Sequence, residues 1–214
     1  DASTDKSNDE GLSDFGIEVV KQMNRLGILV DVSHISDHSF YDVIKTTRVP
    51  IFASHSNARS LCDHPRNMTD DMIRHLAANG GVIHINLVDE YVKTPPPNPQ
   101  RDSAIVELKK SYGNYSDLAK KEREAVHEKY SEIRKKFPQP RATLEVAIDH
   151  IDHIVNLVGI DHVGIGSDFV GGGGVDGVHD ISEMGNITLE LLRRGYSEED
   201  IKKIWGGNFM RVFK

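Results

Sequence analysis

From Leu12 to Leu26 apolar residues recur at Phe15, Val19, Met23 and Leu26, the spacing of a helix, with Ser13 placed to cap its start and Gly27 to stop it. A short apolar run, Ile28 to Val32, follows at once and reads as a strand. The alternation then repeats, predicting a helix from about Ser39 to Lys45, a strand Val49 to Ala53, a helix from about Asp70 to Ala78 and a strand Val82 to Leu87. This is a βα rhythm with a buried, parallel sheet.

After Tyr91 the pattern breaks into Thr94-Pro-Pro-Pro-Asn-Pro99 and then a charged segment, Arg101 to Lys136, of weak helical periodicity, closed by Pro138 and Pro140. We read residues 95 to 140 or so as a solvent-facing helical excursion within one domain. Helix resumes from about Ala142 to Val158. A strand His162 to Gly166, a loop with four glycines, Gly171 to Gly174, and helices near Ile181 to Arg193 and Glu198 to Phe213 complete the chain.

Four βα units suit either an open doubly wound sheet or part of a (β/α)8 barrel, which in full needs about 250 residues. The excursion takes roughly a fifth of the 214 residues, so the expectation is an α/β chain amounting to about half a barrel.

Composition narrows the partners. With 38% hydrophobic and 28% charged residues the chain is ordinary for one buried core. A net charge of −7 and a pI near 5.9 argue against nucleic acid and favour a small-molecule or peptide partner. No apolar run approaches the roughly 20 residues that span a bilayer. The lone Cys62 excludes an intrachain disulfide and a thiolate metal site, leaving His and carboxylates as the available metal ligands. The polar opening, Asp1 to Glu10, lacks an initiator Met and an apolar signal core and reads as an interior loop of a processed or truncated product. The cellular compartment stays open.

Each strand ends in a polar residue: Asp31-Val-Ser-His34, Phe52-Ala-Ser-His55, Ile85-Asn86 and Gly164-Ile-Gly-Ser-Asp168. In a parallel sheet those ends share one side, where barrel enzymes place their chemistry. Neighbouring strands lie roughly 4.8 Å apart, so His34 and His55 can reach one metal at about 2.0–2.1 Å per Zn–N bond. Two such histidines in a common Ser-His context favour ligation over two separate hydrogen-bonded strand-end imidazoles.

Asp168, between an apolar strand and the glycine run, suits a proton acceptor in a partly desolvated mouth, or a cap for the next helix. The glycine run lacks the Gly-Lys-Ser/Thr ending of a phosphate loop and is read as a plain loop. His150-Ile-Asp152 has the His-x-Asp form of binuclear hydrolases, but it falls on a helix, where i and i+2 point roughly 200° apart, and is rejected. Arg66, beside Asn67, could hold a substrate carboxylate in two parallel hydrogen bonds, or be an ordinary loop arginine. Tyr91 stands beyond the third strand end, either adding a hydroxyl there or simply packing. His38, His64, His75, His84, His127, His153, His162 and His179 are read as structural.

Asn24-Arg-Leu-Gly-Ile-Leu-Val-Asp-Val-Ser-His34, Pro50-Ile-Phe-Ala-Ser-His-Ser-Asn-Ala-Arg59, Arg66-Asn67 and Gly164-Ile-Gly-Ser-Asp-Phe169 occur in an order and spacing that resembles the renal (membrane) dipeptidase family, peptidase family M19, of the metal-dependent hydrolase superfamily. Similarity runs from Gly11 to Phe213 apart from the excursion. The resemblance implies the C-terminal portion of a distorted (β/α)8 barrel with two zinc ions that hydrolyses dipeptides by a metal-bridging hydroxide, many members accepting a D-residue at the C-terminal position. It implies that His34 and His55 bind zinc, that Asp168 handles the proton of the attacking water, and that Arg66, with Asn67 and Tyr91 nearby, grips the substrate's C-terminal carboxylate.

The family's remaining zinc ligands are expected upstream of Asp1, so activity requires an N-terminal half, covalent or as a partner chain. A homodimer stays open, as does a periplasmic, secreted or membrane-anchored setting. Where the family commonly has Asp-Phe-Asp-Gly, this chain has Asp168-Phe-Val170-Gly. The rival readings are another metal-dependent hydrolase of small amides and a non-catalytic barrel that has lost its metals.

Overall fold

The computed structural model describes residues 1–4, 10–113 and 117–214. Residues 5–9 of the polar opening lie outside the described residues. Ser13 accepts the Gly16 N–H and opens α1 (Asp14–Leu26), which Gly27 closes in the left-handed region at φ 68°. Ser36 caps α2 (Asp37–Thr46) and Thr69 caps α3 (Asp70–Ala78) in the same way, each accepting an N–H of the first turn. Between them lies β1 (Phe52–Ala53), and after α3 comes β2 (Val82–Asn86), followed by a single turn, α4 (Asp89–Val92).

Residues 95–141 form a second compact unit. It contains α5 (Pro99–Tyr112), opened by Asn98 and Pro99, and α6 (Lys120–Lys136), which pack on each other. The first unit resumes with α7 (Leu144–Val158), β3 (Val163–Ser167), α8 (Gly185–Arg193), α9 (Glu198–Lys202) and α10 (Asn208–Phe213). The continuous helix expected over Glu198 to Phe213 breaks at a π-helical turn, Lys203–Gly207, where Gly206 leaves helical torsions. The break lets the Asn208 side chain donate to the Ile160 and Val163 carbonyls at the foot of β3. Among the described residues no helix is long and apolar enough to cross a membrane.

The sheet is parallel, in the order β1-β2-β3. The strand expected at Ile28 to Val32 is reduced to one bridge, Asp31 to Phe52, with Val32 N–H donating to Phe52 O and Phe52 N–H to Val30 O. Its ladder stops because the Asp31 carboxylate takes over, accepting the Ser33 and Ser54 amides at 3.0 Å each. β1 starts later than Val49 because Pro50 has no N–H and the Ile51 N–H goes to the Asn79 side chain. Between β2 and β3 the register slips at Ile85/Asn86, so that Asn86 pairs with Ser167.

One face of the sheet is covered by α3 and α7, with α8 packed on α7, and their Ile73, Leu76, Ile148, Ile151, Ile154, Ile187 and Leu191 are fully buried with Ile83 and Ile85. On the other, His84 lies 6.2 Å from the Phe52 ring and 5.6 Å from the Phe209 ring. Burial pushes its pKa down to about 4. The apolar stripe of α1 reaches this core only in part, through Met23 beside the buried Val20. Phe15 and Leu26 are 78% and 60% exposed, with Ile28 beside them at 50%, and only Val20 of α1 is buried.

Candidate active site

His34 and His55 leave adjacent extended segments on the same side of the sheet, and their Nε2 atoms meet at 2.8 Å. The His55 ring is held from behind. His55 Nδ1 lies 2.6 Å from Ser54 Oγ, which is itself 2.5 Å from Asp31 Oδ2, and the His55 N–H donates to Ser33 Oγ. Gly166 makes room for this strand end: a Cβ there would meet the Ser54 carbonyl at 2.1 Å.

Arg66 completes the group. Its guanidinium, only 4% exposed, places Nη2 3.2 Å from His34 Nε2 and 3.5 Å from the His55 carbonyl, and lies 5.6 Å from the Tyr91 ring centroid. Nη1 is buried without a partner. A guanidinium only donates, so His34 Nε2 faces it with a lone pair. Partial burial and the positive Arg66 both lower the His34 pKa. Burial lowers that of Arg66 too, opposed by Tyr91 and Asp168.

The loop that carries Arg66 is tied down at several points. Arg59 forks onto the two Asp37 carboxylate oxygens at 2.6 and 2.7 Å and donates to the Asn67 carbonyl. The Asn67 amide donates to the Cys62 and Tyr91 carbonyls, so this residue, 1% exposed, braces the loop from within; its Oδ1 is left without a partner. Asn57 repeats the device, bonding the Asn86 and Tyr91 carbonyls. Tyr91 packs against the His64 ring, tilted at 37° with centroids 4.5 Å apart.

Asp168 is half-buried and follows Ser167 into the left-handed region, at φ 64° and 42°, a strained pair among non-glycine residues. It stands at the start of a 3-10 turn, Phe169–Gly171, but its side chain does not cap it. Oδ2 instead accepts from Asn86 Nδ2 at 3.0 Å, and Asn86 also reaches the His55 carbonyl at 3.4 Å. The glycines after Asp168 serve this residue: the amides of Gly171 and Gly173 donate to its carbonyl, and a Cβ on Gly171 would lie 2.1 Å from its Oδ1.

Thus the fold brings together His34, His55 and Arg66 and sets Asp168 beside them through Asn86. His150 is fully buried and structural, accepting the Ala58 N–H and donating to the Val92 carbonyl. Among the described residues no group of three or more His, Cys, Asp or Glu side chains could hold a metal. The donor set therefore fits part of a metal site: two convergent imidazole nitrogens, that of His55 backed by its Nδ1 contact to Ser54, short of the three protein ligands of a catalytic zinc. Periodicity and strand-end reasoning passed over Asp31, Ser33, Ser54 and Asn57. For Asp31, Ser33 and Ser54 the only signal was a serine or carboxylate within three residues of a histidine, and Asn57 carried none.

A family profile described as membrane dipeptidase (Peptidase family M19) matches residues 1–214. The chain belongs to this family. An uncharacterised dipeptidase of Schizosaccharomyces pombe is 32% identical over 96% of the chain and 40% of its own length. Dipeptidase aclJ of Aspergillus oryzae is 35% identical over 94% and 38%. In structure, the probable dipeptidase PvdM of Pseudomonas aeruginosa superposes with a TM-score of 0.84 at 36% identity, over the whole chain and 58% of PvdM. A Rhodobacter sphaeroides metallopeptidase, solved with a phosphinate mimic of L-Ala-D-Ala, shares the fold at a TM-score of 0.70 and 24% identity, over 95% of the chain and 47% of its own. The M19 chain described here thus spans about two fifths of the curated relatives it matches.

Proposed function

We propose that this chain is the C-terminal part of a zinc-dependent dipeptidase barrel, in which His34 and His55 are metal ligands. The observation that carries the reading is the convergence of the two Nε2 atoms at 2.8 Å beside the buried Arg66. The exposed stripe Phe15, Leu26 and Ile28, next to a sheet edge held by one bridge, supports a further βα portion packing there. That portion would supply the remaining ligands.

A zinc ion at such a site, when bound, supplies Lewis-acid polarisation and activated water. The chain's own residues do the rest. Asp168 accepts a proton at its carboxylate and passes it to the leaving amine, aimed by Asn86 Nδ2 on its Oδ2. Arg66, whose Nη1 is partnerless, receives the C-terminal carboxylate of the substrate, and the Tyr91 ring holds the guanidinium plane. Because Arg66 sits against His34, the carboxylate must lie close to the scissile bond, which restricts the site to dipeptides; the L-Ala-D-Ala mimic bound by the Rhodobacter sphaeroides relative supports extending this to dipeptides ending in a D-residue.

The test compares a dipeptide with its C-terminally amidated form in the wild type and in Arg66→Lys, which cannot reproduce the fork. Loss of a charged hydrogen bond of about 2 kcal/mol predicts a roughly 30-fold drop in kcat/KM for the free dipeptide. The amide should be poor with both enzymes. Equal rates for the two substrates in the wild type would refute the clamp.

A further inference from the structure

We propose that Asp31 and Ser54 are positioning residues that hold His55 in its Nδ1–H tautomer and so present its Nε2 lone pair toward His34. The inference deepens the metal reading above and takes its purpose from it, but the relay itself is a property of the metal-free protein.

The argument is one of donor and acceptor accounting. Asp31 Oδ1 already accepts two backbone N–H groups, those of Ser33 and Ser54, which fixes the carboxylate in place as an acceptor. Its Oδ2 lies 2.5 Å from Ser54 Oγ, the short separation of a hydroxyl donating to a carboxylate. Ser33 Oγ, at 3.4 Å from Ser54 Oγ, is a far weaker competitor for that proton. With its single proton committed to Asp31, Ser54 Oγ can only accept at its other short contact, 2.6 Å from His55 Nδ1. The proton on that contact therefore belongs to the imidazole, and Nε2 is left bare. The His55 backbone N–H donates to Ser33 Oγ, which anchors the residue without touching the ring.

On the opposite ring Arg66 imposes the matching choice, because a guanidinium only donates, here to His34 Nε2. Two lone pairs then face each other across 2.8 Å. In the metal-free protein this is an unfavourable juxtaposition, and it is the arrangement that a cation relieves. Carboxylate-to-histidine links that orient metal ligands are general; here the link passes through a hydroxyl.

Asp31→Asn gives the decisive test because it inverts the relay while keeping the number and shape of the side chain's heavy atoms. The amide oxygen keeps the two backbone N–H groups and the amide nitrogen takes the place of Oδ2, where it donates to Ser54 Oγ. The serine proton is freed to donate to His55 Nδ1, and the imidazole must carry its proton on Nε2. The measurement is two-bond nitrogen–proton NMR on the metal-free, histidine-labelled intact protein, with the His55 signals assigned by their loss in His55→Gln. Zinc affinity is read in parallel by competition against a chromophoric chelator.

We expect the Nδ1–H pattern for His55 in the wild type and in Ser54→Thr, which keeps the hydroxyl. We expect the Nε2–H pattern in Asp31→Asn and a mixture in Ser54→Ala, with zinc bound roughly 10- to 100-fold more weakly in both. An Nε2–H His55 in the wild type, or an unchanged tautomer in Asp31→Asn with its native circular dichroism, overturns the relay. Inversion of the tautomer in a protein whose wild type binds no zinc upholds the relay and overturns the metal reading.

Discussion

Replacing Gly171 with alanine adds one methyl group at a place where the fold has left no room for it. A Cβ on Gly171 would lie 2.1 Å from Asp168 Oδ1 and 2.7 Å from its Cγ, whereas ordinary contact begins near 3.4 Å. The cheapest response is for the carboxylate, the free end of a side chain, to swing away by roughly 1.3 Å and break its 3.0 Å hydrogen bond from Asn86. A catalytic group misplaced by about 1 Å costs on the order of 100-fold, so kcat/KM for a dipeptide should fall by about that factor. The fold should survive, because the lost hydrogen bond to a charged group is worth about 2 kcal/mol and a half-buried carboxylate recovers part of it from water, leaving a Tm change of a few degrees. Zinc content should not change, since neither His34 nor His55 touches the new methyl. The assay is steady-state hydrolysis of a dipeptide by the intact protein, with Tm and bound zinc measured on the same preparation. A kcat/KM within about threefold of wild type would refute the placement of Asp168 as the proton-handling group. A Tm collapse beyond about 10 °C would refute the view that the glycine serves the site and not the fold.

Removing the two imidazoles in a His34→Ala/His55→Ala variant should abolish stoichiometric zinc in the metal analysis of the intact protein; a wild type without zinc, equal in stability to the double variant, would favour a non-catalytic barrel. His84 provides a pH signature. Its folded-state value of about 4 lies below the ordinary 6.5, so the unfolded chain binds the extra proton first and stability is lost as pH falls from about 6.5 toward 4. That loss comes to about 3 kcal/mol, and His84→Leu should flatten the slope of unfolding free energy over this window; an unchanged slope in urea titrations would count against it.

Much of the local structure was legible from the chain alone, because helix periods, caps and stops are short-range signals. Ser13 and Gly27 mark element ends through a side chain and a torsion that act within a turn; Ser36 and Thr69 carry the same cap signal and were not read from it. The strand-end rule likewise found His34, His55 and Asp168, since a parallel sheet puts all such ends on one side whatever the loops do. The edge strand was overread, because hydrophobic run length does not reveal that Asp31 ends the ladder. The apolar stripe of α1 was visible, but periodicity carries no information on which body a face packs against. What only the tertiary structure decided are relations between distant positions: the carboxylate behind Ser54 and His55, the burial of Arg66 against His34 and the Asn86 amide that aims Asp168. Each depends on side chains brought together by packing from as many as 82 positions apart, and no spacing rule within one element encodes such a meeting.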